Sequence, residues 1–84
     1  EERKLRTERG KKISKLQKQI AELEASIERL EIQQAEQEAG LADPSDDYDA
    51  MAKLAQSYDN TKKELEDNVT SWTEAQEALD DLED

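Results

Sequence analysis

The chain has 84 residues, of which 33% are hydrophobic and 42% charged, with a formal net charge of −11 and no Phe, Cys or His. A chain this short makes at most one small domain, and such a composition suits either disorder or a two-helix structure whose core is a single seam. The missing cysteine and histidine exclude a disulfide framework, a thiolate or imidazole zinc site, a cysteine nucleophile and the commonest acid–base side chain.

The first eighteen residues carry eight bases (Arg3, Lys4, Arg6, Arg9, Lys11, Lys12, Lys15 and Lys18) against three acids, a net of +5. Residues 19–84 carry four bases against twenty acids, a net of −16. An acidic chain repels nucleic acid at long range, yet one end of this one is locally basic. Glu1-Glu2-Arg3-Lys4 is no signal peptide, since it lacks an apolar stretch. No apolar run approaches the roughly 18 residues of a membrane span. The expected setting is cytoplasmic, without a membrane partner, and the sequence reads as a fragment of a longer protein.

From Ile13 the apolar residues fall at Leu16, Ile20, Leu23, Ile27 and Leu30, with Ile at a and Leu at d of a heptad. Gln34 and Gln37 take the next two seam positions before Leu41 resumes the pattern, an eleven-residue step that predicts a local change of supercoil. Continued toward the start, the same heptad would put Arg6 and Arg9 on the seam. Residues 1–10 are therefore expected to be either frayed or a helical lead-in.

The helical pattern stops at "GLADPSDDYDAM", residues 40–51. Gly40 offers a left-handed helix end. Asp43-Pro44 reads as a cap followed by proline at a first helical position, with the acids of Ser45-Asp46-Asp47 and Asp49 near the positive end of the next helix. Met51, Tyr58, Leu65, Trp72 and Leu79 then repeat every seven residues, with Leu54, Val69 and Leu82 also apolar and with Thr61, Asn68 and Ala75 as poorer intervening places.

Two long helices joined by a short loop run antiparallel. The fold class is all-α, an antiparallel two-helix coiled-coil hairpin. Residues 1–84 form one domain with a basic lead-in at 1–10, a helix at 11–40, a turn at 41–46 and a helix at 47–82. Folding about residue 43 sets Trp72 opposite Ile13 and Leu16, Tyr58 near Ile27, and Leu5 against Leu79 and Leu82.

Catalytic chemistry is hard to build from these residues. Gly10 and Gly40 stand in no phosphate-cradling motif. No Ser–His or Cys–His pair can form. Asp43, Asp47 and Asp49 match positions 1, 5 and 7 of a calcium loop, but Tyr48 replaces its glycine and Leu54 its closing glutamate. Capping and solubility account better for these acids, and the seam spacing of Trp72 favours core packing over base stacking. The domain by itself is expected to be no enzyme and to hold no metal and no cofactor.

What remains is the basic end. At roughly 100° per residue, Lys4, Lys11, Lys15 and Lys18 fall within about 60° of one another and about 140° from the Ile/Leu seam. Charges that only set hairpin register favour positions flanking the seam. An outward stripe is better placed to meet phosphate, which demands charge and reach alone. The competing reading is ordinary: Glu74, Glu77, Asp80, Asp81, Glu83 and Asp84 lie alongside in the hairpin and would neutralise the lysines within about one Debye length.

The lysine-rich lead-in, the heptads "ISKLQKQIAELEASIERLE", the turn "LADP" and the later "SWTEAQEALDDLED" resemble the C-terminal coiled-coil domain of ABC-F ATPases, the group that includes Uup-like proteins. The similarity spans roughly residues 8–82, and its most specific features are Leu41-Ala42-Asp43-Pro44 and Trp72. Ser45-Asp46-Asp47 and Thr73 depart from the family's usual form. The resemblance implies a parent protein with two ATP-binding cassettes, ATP and magnesium bound there, and the ATPase domains as neighbours. It also implies action on the translating ribosome or, as in Uup-like members, DNA binding.

The expected function is that of a non-catalytic accessory domain contacting DNA, ribosomal RNA or the ribosome through Arg3, Lys4, Arg6, Arg9, Lys11, Lys12, Lys15 and Lys18. The alternative is a structural or self-associating helical hairpin of another cytoplasmic protein, for which the thin second seam and the polar Gln34 and Gln37 leave room. A hairpin arm of a tRNA synthetase would carry basic charge near its tip, whereas this tip is acidic.

Overall fold

A computed structural model describes residues 2–43 and 47–83. Two helices, α1 (Glu2–Ala42) and α2 (Tyr48–Glu83), pack against each other as an antiparallel hairpin with principal extents of 69 × 16 × 14 Å. At 1.5 Å per residue, α1 alone accounts for about 60 Å of that length. The molecule is a rod two helices wide, so a single seam is its entire core.

The heptad reading survives contact with the structure. Every seam position of α1 from Ile13 through Leu30, Gln34, Gln37 and Leu41 is buried or half-buried, as is every one of α2 from Met51 to Leu82. The deepest are Ile20 at 6% exposure, Leu30 at 2% and Ala75 and Thr61 at 4%. The places that look poorest in α2, Thr61 and Ala75, are thus its most buried: a small side chain there lets the larger ones of α1 sit deep, as in knobs-into-holes packing. Thr61 satisfies its own hydroxyl by donating to the Ser57 carbonyl at 3.0 Å. The eleven-residue step after Leu30 needs no change of supercoil, because Gln34 and Gln37 occupy ordinary heptad positions within a continuous helix.

The structure corrects the ends and the register. Helix α1 is helical from Glu2, so residues 2–10 are a helical lead-in and not a frayed one, and it runs through Gly40 to Ala42. Gly40 does not end it, since neither glycine takes a positive φ. The N-cap of α2 is Asp47 in place of Asp43: its carboxylate accepts the Ala50 N–H at 3.2 Å and its carbonyl accepts the first helical N–H, from Met51, at 3.1 Å. Pro44, Ser45 and Asp46, expected to belong to the cap, lie outside the described residues, as do Glu1 and Asp84.

With the connection reaching to residue 47, the fold axis moves from residue 43 to about residue 47. Glu38 meets Tyr58, Gly40 faces Leu54, and Arg9 reaches Leu82. Trp72 therefore lies beside Glu24 and Ile27, not Ile13 and Leu16, and Tyr58 pairs with Glu38 instead of Ile27. Leu5 misses Leu79 and Leu82 and is 65% exposed.

The two glycines serve different ends. A Cβ on Gly40 would come within 2.9 Å of Leu54 Cδ2, so its absence permits close approach of the helices near the turn, whereas a Cβ on Gly10 would meet nothing within 4 Å. Alanine is worth about 0.5–1 kcal/mol over glycine inside a helix. Gly10→Ala should therefore raise the melting temperature followed by circular dichroism. Gly40→Ala should raise it less, because the tip of Leu54 must shift.

The Tyr58 hydroxyl donates to Glu38 Oε1 at 2.9 Å. This hydrogen bond to a carboxylate, aided by partial burial, raises the phenol above its ordinary pKa of about 10. A proton held more tightly in the folded state stabilises it below the unfolded pKa, and that contribution disappears as pH rises through the raised value. Tyr58→Phe should melt below the parent chain near neutral pH, and the difference should shrink above about pH 10.

Candidate nucleic-acid interface

All eight bases of the first eighteen residues lie on α1, and all eight are exposed. The helix carries them because Lys and Arg are good helix formers, and their charged tips remain in water at no cost to the seam. Within the stretch, Thr7 turns its hydroxyl back to the Arg3 carbonyl at 2.8 Å. The hairpin thus presents the whole basic group at one end.

The antiparallel register divides this group. Arg9 Nε donates to the Leu82 carbonyl, close to the C-terminal end of α2. A guanidinium there satisfies a carbonyl that lacks a helical partner and complements the negative end of the helix dipole. Arg9 is therefore tied to the hairpin itself, which explains why an arginine can stand where the heptad asks for an apolar residue. Arg3, Lys4 and Arg6 lie on the stretch of α1 beyond this junction. Lys11, Lys12, Lys15 and Lys18 lie on the side toward the turn, alongside the exposed Glu77, Asp80, Asp81 and Glu83 of α2.

Geometry separates the lysines from those acids in direction. Lys4, Lys11, Lys15 and Lys18 project from the face of α1 turned away from α2, since the seam residues Ile13, Leu16 and Ile20 are the ones that α2 covers. The acids of α2 temper the local potential without blocking that face.

At the other end of the rod, Asp43, Asp47 and Asp49 are exposed, as is Tyr48 at 90%. Among the described residues no three His, Cys, Asp or Glu side chains are grouped to hold a metal ion. Both glycines sit inside α1 with helical backbone, so neither can cradle a nucleotide phosphate. Among the described residues, no helix is long and apolar enough to cross a membrane.

One feature stands outside the heptad pattern. Ile27, Ile32 and Ala35 of α1 with Val69 and Trp72 of α2 line an open groove of about 610 Å³, rimmed by Glu24, Glu28 and Glu31. Ile32 is 56% and Val69 43% exposed. Its signal in the sequence is two apolar residues off the seam, Ile32 and Val69, positions that a heptad pattern leaves without a role.

A two-helix antiparallel coiled coil with polar, charge-segregated faces defines the class: a long helical hairpin. The chain belongs to the family of ABC transporter C-terminal domains, whose model matches residues 11–77. This agrees with the resemblance to the ABC-F coiled-coil domain, and it makes the chain an accessory domain of an ABC protein, with that protein's ATPase domains as associates. No curated protein and no solved structure matches the chain significantly.

Proposed function

We propose that this hairpin is a non-catalytic, cytoplasmic accessory domain that contacts nucleic acid, either DNA or ribosomal RNA on the ribosome, through the basic end of α1. ATP and magnesium act in the ATPase domains of the parent protein, and this chain supplies binding and reach. The observation that carries the reading is the outward lysine face: Lys4, Lys11, Lys15 and Lys18 are exposed on the side of α1 away from its partner helix. Arg3 and Arg6 extend the surface and Lys12 broadens it, while Arg9 anchors the junction with α2.

The acidic remainder of the rod gives the contact a direction. Phosphate is attracted to one end and repelled along the other, so nucleic acid would meet the hairpin end-on. Such contacts depend on charge and carry no base readout of their own, which suits an accessory role beside a domain that sets specificity elsewhere. The test is titration of the chain into fluorescent duplex DNA and into a ribosomal RNA fragment. Binding to at least one of them that weakens with salt supports the reading, and no binding to either at low salt by a folded chain refutes it.

A further inference from the structure

The apolar groove beside Trp72 has no role in phosphate binding, because Glu24, Glu28 and Glu31 rim it. Its exposed Ile32 and Val69 are large apolar side chains that the hairpin leaves uncovered. We propose that a second copy of this chain covers the groove, with its α1 lying antiparallel to α1 of the first copy in a two-fold dimer. The dimer would engage Lys4, Lys11 and Lys18, the same side chains that the nucleic-acid reading uses, so dimerisation and phosphate contact would compete for them, and sedimentation of the chain without nucleic acid tests the dimer alone.

Charge selects the occupant. Residues 1–18 carry a net of +5, while residues 19–38 carry six glutamates against Arg29, a net of −5. Antiparallel pairing of two α1 helices centred between these halves lays each basic half along the partner's acidic half. An isologous interface of this kind is self-complementary, as two-fold symmetry requires.

The lysine face runs into the edge of the groove at Ile32. Lys4, Lys11 and Lys18 stand in one seven-residue column with Ala25, Ile32 and Ala39. In the antiparallel pair, lysine stems from one copy cover the apolar part of the column in the other, and their ammonium groups reach the glutamate rim. Gly10 then acquires a reason. It costs helix stability relative to alanine and meets no neighbour within the single hairpin, but it lowers the surface on the side where the second α1 would approach. The net charge of −11 opposes association at long range. At physiological ionic strength, however, that repulsion is screened beyond about 8 Å, while the paired charges lie closer than this.

The experiment is sedimentation equilibrium of the chain at physiological salt across a wide concentration range, with helicity checked by circular dichroism. The expected result is a monomer–dimer equilibrium. Ile32→Asp, at an exposed position that leaves the seam intact, should weaken it at least about tenfold, since it places a carboxylate among the rim glutamates. Reversing Lys4, Lys11 and Lys18 to Glu, or Glu24, Glu28 and Glu31 to Lys, should each leave a monomer. The equimolar mixture of those two variants should dimerise again. A monomer at every concentration, a larger closed assembly, or association unaffected by Ile32→Asp would overturn the proposal.

Discussion

Leu30→Ala is expected to lower the stability of the hairpin by about 3 kcal/mol, within the range found for deleting a buried leucine side chain. Leu30 is the most buried large side chain, at 2% exposure, and it lies near the middle of a seam that has no second layer behind it. A cavity opened there can be filled only by water or by closer approach of two stiff helices. A single small core rarely supplies more than about 3–5 kcal/mol, so one substitution removes most of what holds the helices together. In a domain of this size the melting temperature should fall by about 15 °C. Ile32→Ala, at 56% exposure, should cost less than about 0.5 kcal/mol. Thermal melts of dilute protein followed by circular dichroism would check both, and equal melting of the two variants would mean that the seam is not the core.

The second large effect concerns binding. Changing Lys4, Lys11, Lys15 and Lys18 together to Glu turns the net charge of residues 1–18 from +5 to −3. Each lysine that neutralises a phosphate releases counterions, and each glutamate in its place repels the backbone. Affinity for duplex DNA and for ribosomal RNA should fall below detection at low salt. All four side chains are exposed and lie off the seam, so helicity should be retained. Arg9→Ala should behave differently. It removes the guanidinium from the Leu82 carbonyl and should loosen the end of the hairpin, with a smaller loss of binding.

Much of the fold was legible in the sequence because a two-helix seam leaves little room for alternatives. Ile13 to Leu30 announces its heptads, and Gln34, Gln37, Thr61 and Ala75 extend them in the structure although none is a strong hydrophobe. The turn was harder. Gly40 and Asp43 look like a helix end and a cap, but glycine serves equally where two helices touch, and here it lies against Leu54. Capping by Asp47 delays α2, and the register shifts along the whole rod as a result. That shift explains why Leu5 is left exposed and why Arg9 can meet the end of α2.

The basic surface was readable from spacing alone, since exposure of a helical face follows from its angle to the seam. The groove was not. It depends on which off-seam residues of the two helices come side by side, and Ile32, Val69 and Trp72 meet only in the corrected register. Family membership extends the reading to an ABC protein, and the physical properties of the lysine face give that membership a mechanism to test.

The most direct measurement is the salt dependence of binding of the unaltered chain to duplex DNA and to the ribosomal RNA fragment. If four lysines meet phosphates, log K against log salt should fall with a slope of about −3.6 on duplex DNA, and somewhat less steeply on single-stranded RNA. A slope near zero, or no binding at low salt by a chain that is fully helical, would contradict phosphate contact by the basic end of α1.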